Sequence, residues 1–84
     1  MRIYMQTPPA EDSKLRFFQL HLQADLLGGW TLVKESGQQG SPGRVSRTHF
    51  ETHEEALSAL LTTRDKQLDK GFKVVFTDGT NQIS

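Results

Sequence analysis

The stretch "THEEALSALLTTRDKQLDKG", residues 52 to 71, has the one helical pattern in this chain, and it carries signals at both ends. Thr52 and Glu55 form a Thr-x-x-Glu capping box, and Gly71 stands where a left-handed C-terminal cap belongs. Glu54 and Glu55 open the segment and Lys66 and Lys70 close it, as the helix macrodipole favours. Leu57, Leu60, Leu61 and Leu68, with Ala56, keep helical spacing and predict one buried stripe. A lone helix with one apolar stripe has to lie on something flat. The rest of the chain must therefore supply a sheet.

It does so in short alternating runs. "RIYMQT" reads as a short edge strand, and "PPAEDSK" breaks it into a loop. "LRFFQLHLQA" puts Phe18, Leu20, Leu22 and Ala24 on one face, with Arg16, Gln19, His21 and Gln23 among the flanking and intervening polar positions. "DLLGG" turns the chain into "WTLVKE", where Trp30 and Leu32 share a face, with Trp30 expected as core. "RVSRTHF" predicts a fourth strand with Val45 inward, closed by Phe50. After the helix, "FKVVFTDG" sets Phe72, Val74 and Phe76 against Lys73, Val75 and Thr77. Four strands, a helix and a strand predict an α+β domain, an antiparallel β-sheet of about four to five strands with one α-helix packed across one face.

Length limits this to one domain spanning residues 1–84 with one small core, since the chain is 84 residues and 35% hydrophobic. Formal charge is zero, from 10 Lys and Arg against 10 Asp and Glu, so any grip on a polyanion has to be local. There are no cysteines, which removes disulfides, thiolate metal sites and cysteine nucleophiles. No apolar segment has the length of a signal peptide core or a membrane span, and a cytoplasmic protein without membrane contact is expected.

The chemistry-bearing residues do not converge in the sequence. His49 and His53 bracket a strand-to-helix corner, and His21 alternates outward on its strand, so no metal-binding spacing is formed. Glu54 and Glu55 are explained by capping, and "GQQGSPG" is neither a nucleophile elbow nor a phosphate loop. No catalysis, cofactor or small-molecule substrate is indicated.

The segment between the third and fourth strands is more informative. Residues 34 to 47 hold Lys34, Arg44 and Arg47 against Glu35, a local cationic surplus. Gly37, Gly40 and Gly43 permit close backbone approach and positive φ, and Ser36, Gln38, Gln39 and Ser41 offer hydrogen bonds to phosphate, sugar or peptide. A wide hairpin that merely joins two strands has the same composition.

In feature order, "RFFQLHL", "GWTLVKESGQQG", "PGRVSRTHFETHEEALSALL" and "KQLDKGF" together resemble the WGR domain, a module of poly(ADP-ribose) polymerases that also occurs as a small stand-alone or fused bacterial domain. The likeness covers about Arg16 to Val75. It implies the same sheet-and-helix fold, and DNA binding at duplex ends or nicks through the 34 to 47 loop. The signature Trp-Gly-Arg falls on Ser36, Gly37 and Gln38, with Gly40 as the second glycine. Serine cannot stack on a base and glutamine is uncharged, which leaves Lys34, Arg44 and Arg47 to meet phosphates. Three phosphate contacts predict a slope of log affinity on log salt of about −2 to −3.

Two readings of function follow. One is a binding module for DNA without base specificity, acting through Lys34, Ser36, Gly37, Gln38, Gly40, Arg44 and Arg47. The other is a protein-interaction or self-associating module that docks through the edge strand "RIYMQT" or the outward sheet face, with Tyr4, Phe17 and Val75 as contacts.

Overall fold

The computed structural model describes residues 1–8 and 15–79. Its elements are β1 (Arg2–Gln6), β2 (Arg16–Ala24), β3 (Trp30–Gln38), β4 (Arg44–Phe50), α1 (His53–Asp69) and β5 (Lys73–Asp78). The strands form one five-stranded sheet in the order β4-β3-β2-β1-β5, with every neighbouring pair antiparallel. α1 crosses one face, mainly over β2 and β3. This is the α+β architecture that the alternating runs and the single helix predict.

The capping box forms as expected: the Glu55 amide donates to Thr52 Oγ1 at 3.1 Å, and Thr52 itself is extended. At the other end Gly71 takes φ +100, and the Gly71 and Phe72 amides donate back to the Leu68 and Gln67 carbonyls. The core between helix and sheet consists of Ile3, Met5, Leu20, Leu22, Leu32, Ala56, Leu60 and Phe72. Leu60 is fully buried at its centre, where truncation of such a side chain to Ala costs about 2–5 kcal/mol. Trp30 is half-buried against this core and meets His53 edge-on with ring centroids 4.5 Å apart.

Five local expectations are corrected. β1 is not an edge strand, because β5 pairs along its outer side from Arg2 to Gln6 and leaves β4 and β5 as the edges. β3 does not stop at Glu35 but runs to Gln38, so the loop shrinks to residues 39–43. Val45 pairs with Glu35 and Arg47 with Val33, which places them on the face away from the helix, and Val45 is 45% exposed. On α1, Leu68 is exposed and Gln67 is buried instead, since the buried positions 56, 60 and 67 follow the helical period. Phe76 does not share a face with Val74. Phe76 pairs with Tyr4 and Val74 with Met5, so Val75 bulges between them and reverses the pleat. The loop read into "PPAEDSK" lies mostly outside the described residues.

Candidate functional site

Cross-strand partners share a face, so the register places each sequence-predicted residue. Lys34 stands opposite Leu20 and Ser46, and Ser36 stands opposite Phe18 and Arg44. Leu20 is core, so Lys34, Ser36, Ser46 and Arg44 all lie on the helix side of the sheet. Gly37 pairs with Phe17 and Arg47 with Val33, on the uncovered side. The three cations expected to act together are thus divided, Lys34 and Arg44 on one face and Arg47 on the other.

What replaces Arg47 comes from β2 and α1. Three adjoining clefts open where the C-terminal turns of α1 pass over the ends of β2, β3 and β4. The first is lined by Arg16, Ser36, Gly37, Gln38, Pro42, Gly43 and Arg44. The second is lined by Phe18, Lys34, Ser36, Arg44, Ser46, Thr63, Lys66 and Gln67. The third adds Thr7, Phe17, Lys70 and Phe72 around Arg16, Phe18, Ser36, Gly37 and Gln67. Ser36 lines all three, so the clefts adjoin around the serine as one grooved region of the surface.

Five of the chain's 10 cationic side chains, Arg16, Lys34, Arg44, Lys66 and Lys70, line this groove. Among the described residues no Asp or Glu lines it, and none of the five cations makes an ion pair. The negative pole of the helix is blunted there, because the carbonyls of Lys66, Gln67 and Leu68 accept from the Lys70, Gly71 and Phe72 amides. Gln67 is 9% exposed, and its side-chain amide has no hydrogen-bond partner among the described residues. A buried amide in that state is one that water or a ligand would satisfy.

The glycines serve geometry more than they serve a ligand. Only Gly40 of the three loop glycines takes positive φ, at +86, where the hairpin turns. Gly37 and Gly43 make room for Phe17: a Cβ on either would come within 3.3 Å of its ring. The hairpin is tied back by the Gln39 amide, which donates to the Leu15 carbonyl at 2.8 Å.

The other end of the sheet is organised differently. In the β2–β3 turn, the Asp25 carboxylate accepts from the Leu27 and Gly29 amides at 2.9 and 3.0 Å and from Thr31 Oγ1 at 3.1 Å. His49 Nδ1 lies 2.6 Å from Asp25 Oδ2, and its Nε2 lies 3.3 Å from Glu51. The hydrogen bond to Asp25 is the main reason the His49 imidazole is held above its ordinary value. Desolvation presses the Asp25 carboxyl upward, but the bonds from Gly29, His49, Leu27 and Thr31 together bring it below the usual range. His21 is lowered by burial, with the N-terminal amine and Arg2 adding to it. Among the described residues no three His, Cys, Asp or Glu side chains come close enough to hold a metal ion.

The sequence missed Arg16, Lys66, Lys70 and Gln67 as site residues. A signal was present: Thr63, Lys66, Gln67 and Lys70 recur at helical three- and four-residue steps beyond Leu60. Comparison of the chain with protein-family models, with curated proteins and with solved structures returns no match. No described helix is long and apolar enough to cross a membrane.

Proposed function

We propose that this chain is a non-catalytic module that binds the phosphate backbone of DNA without reading its sequence, at duplex ends or nicks, through the groove between α1 and the β2–β4 ends. The observation that carries the reading is the gathering of Arg16, Lys34, Arg44, Lys66 and Lys70 around three adjoining clefts that no described carboxylate lines, with the Glu35 carboxylate beside Gly43 at their edge. In a chain of zero net charge, that is a local field in search of a polyanion. Ser36 and the buried amide of Gln67 add hydrogen-bond donors at the floor. Nothing among the described residues of the groove reads bases: no helix projects from the surface, and the aromatic rings that line it are packed on others, Phe18 edge-to-face on Phe72 at 6.1 Å and Phe17 stacked on Tyr4.

Neutralising five phosphates gives a slope of log affinity on log salt of about −4 to −5, steeper than three cations would produce. Fluorescence anisotropy of nicked, blunt and closed duplexes, titrated at about 50 mM salt and upward, measures that slope. Saturable uptake with the steeper slope supports the reading. No uptake by micromolar protein at the lowest salt removes it.

A second reading, a protein-interaction module, is favoured by the sheet face that α1 leaves uncovered. There Tyr4 and Phe17 stack with centroids 6.2 Å apart, and Val45 and Phe76 are about half exposed. Amide shift mapping with a short duplex separates the two when read at Lys34, Arg44, Lys66 and Lys70 for the groove and at Tyr4, Val45 and Phe76 for this face, since Phe17 and Gly37 border both.

A further inference from the structure

We propose that β5 is a self-complementary edge, along which two copies of this chain join antiparallel into one continuous sheet with five strands from each copy. Among the described residues β5 pairs only with β1, so its outer N–H and C=O groups form an open edge. Sheet edges are commonly guarded by charges in mid-strand, and β4 has that guard in Arg47. β5 lacks it. Its middle is Val74, Val75 and Phe76, exposed by 43%, 58% and 49%, and its charges stand at the two ends as Lys73 and Asp78.

A second copy is the occupant because of how those ends are signed and aimed. In an antiparallel pair of identical strands centred between Val75 and Phe76, Lys73 of each copy falls opposite Asp78 of the other. Val74 then falls opposite Thr77, and Val75 opposite Phe76. In a regular strand this register is impossible, since positions an odd number apart point to opposite faces and could not meet across the two-fold axis. The Val75 bulge removes the obstacle. Lys73 pairs with Gln6 and Asp78 with Arg2, so both stand on the uncovered face, while Val74 and Thr77, paired with Met5 and Ile3, both stand on the helix face. The same irregularity that displaces Phe76 from the core therefore makes the edge match itself in charge and in face.

The two-fold axis of such a pair is normal to the sheet, which leaves both helices on one side and both grooves open. One six-residue strand pair is small for an interface, so the association is weak, with a dissociation constant on the order of 0.1 mM. Sedimentation velocity of the full chain from about 10 μM to 1 mM, without nucleic acid, reads it directly. Lys73→Asp and Asp78→Lys each put like charges opposite at both ends and are expected to weaken association at least about ten-fold. An equimolar mixture of the two variants restores opposite charges at both ends of a mixed pair and is expected to recover dimer. Both positions are exposed, but Asp78 also lies 3.9 Å from the Arg2 guanidinium of its own chain, so circular dichroism and thermal unfolding check that each variant keeps the β1–β5 pairing. A strict monomer at the highest concentration overturns the proposal. So does dimer indifferent to the two substitutions, or a mixture no more associated than its components. None of these outcomes bears on phosphate binding.

Discussion

The two ends of the sheet use charge in opposite ways. At the β2–β3 turn, Asp25 accepts four hydrogen bonds and His49 lies between two carboxylates, so polar groups there are spent on the protein itself. At the β3–β4 hairpin and the end of α1, five cations stand without carboxylate partners among the described residues, and a buried amide has no bond there. The first end is built to hold a turn. The second keeps its charges for something outside the chain. An interaction that satisfies a protein internally cannot also attract a ligand, and this molecule separates the two uses by the length of its strands.

The contrast can be tested from either end. The largest effect is expected from reversing charge in the groove. Arg44→Glu combined with Lys66→Glu should lower DNA affinity by about 100-fold or more at 50 mM salt and flatten the salt slope, by anisotropy. Arg47→Ala, on the other face, should change the slope by less than about half a unit, whereas removing a cation that touches phosphate would change it by about one. Equal losses from Arg44→Ala and Arg47→Ala would break the assignment of the groove.

Backbone tolerance should differ as well. A Cβ on Gly29 would lie 2.4 Å from the Phe50 carbonyl oxygen and 2.5 Å from the His49 ring, so Gly29→Ala should cost about 2–4 kcal/mol in denaturant unfolding. Gly40 has positive φ but open space around it, so Gly40→Ala should cost only about 1 kcal/mol.

Acidity probes the turn. His49 is raised, so its contribution is complete below the ordinary histidine value of 6.5 and is lost as pH rises through its folded value. Asp25 is lowered, so its contribution is complete above the ordinary value of 3.8 and is lost as pH falls through its folded value. The Tm advantage of the wild type over Asp25→Ala should therefore be widest between those values and shrink on either side. A gap that stays constant from about pH 4 to 9 would detach His49 from the turn.

The smallest effect sharpens the other end. Gln67→Leu removes a buried amide without a partner and should raise stability by about 1 kcal/mol while weakening phosphate binding a few-fold.

Much of the fold was legible because it depends on period. Phe18, Leu20 and Leu22 announce β2, and Thr52, Glu55 and Gly71 announce the helix with its ends, because these signals are local and each has one structural meaning. Strand order was not legible. "RIYMQ" reads alike as an edge or an inner strand, since alternation reports faces and says nothing of neighbours. The face of Phe76 was misread because a bulge spends one residue without changing composition. Of the site, Lys34, Ser36 and Arg44 were found by proximity in sequence to the hairpin, and Arg47 was included for the same reason although the pleat sends it away. Arg16, Lys66 on α1 and Lys70 at its C-cap lie far along the chain from the hairpin, and only the packing of α1 on β2 and β3 brings them together.

Along the helix, what lies beneath it changes from Leu32 and Leu22 to Lys34 and Ser46, and then to Ser36 and Arg44. On β2 the face stays apolar through Leu20 and Phe18, while on β3 and β4 hydrocarbon gives way to polar groups, and the clefts open on that polar side. Filling that mouth with larger apolar side chains would tighten the domain and close its opening in the same step. Any lineage of this chain pressed toward greater rigidity would thus surrender accessibility along the same few turns of α1, and the two demands cannot be met by one set of residues.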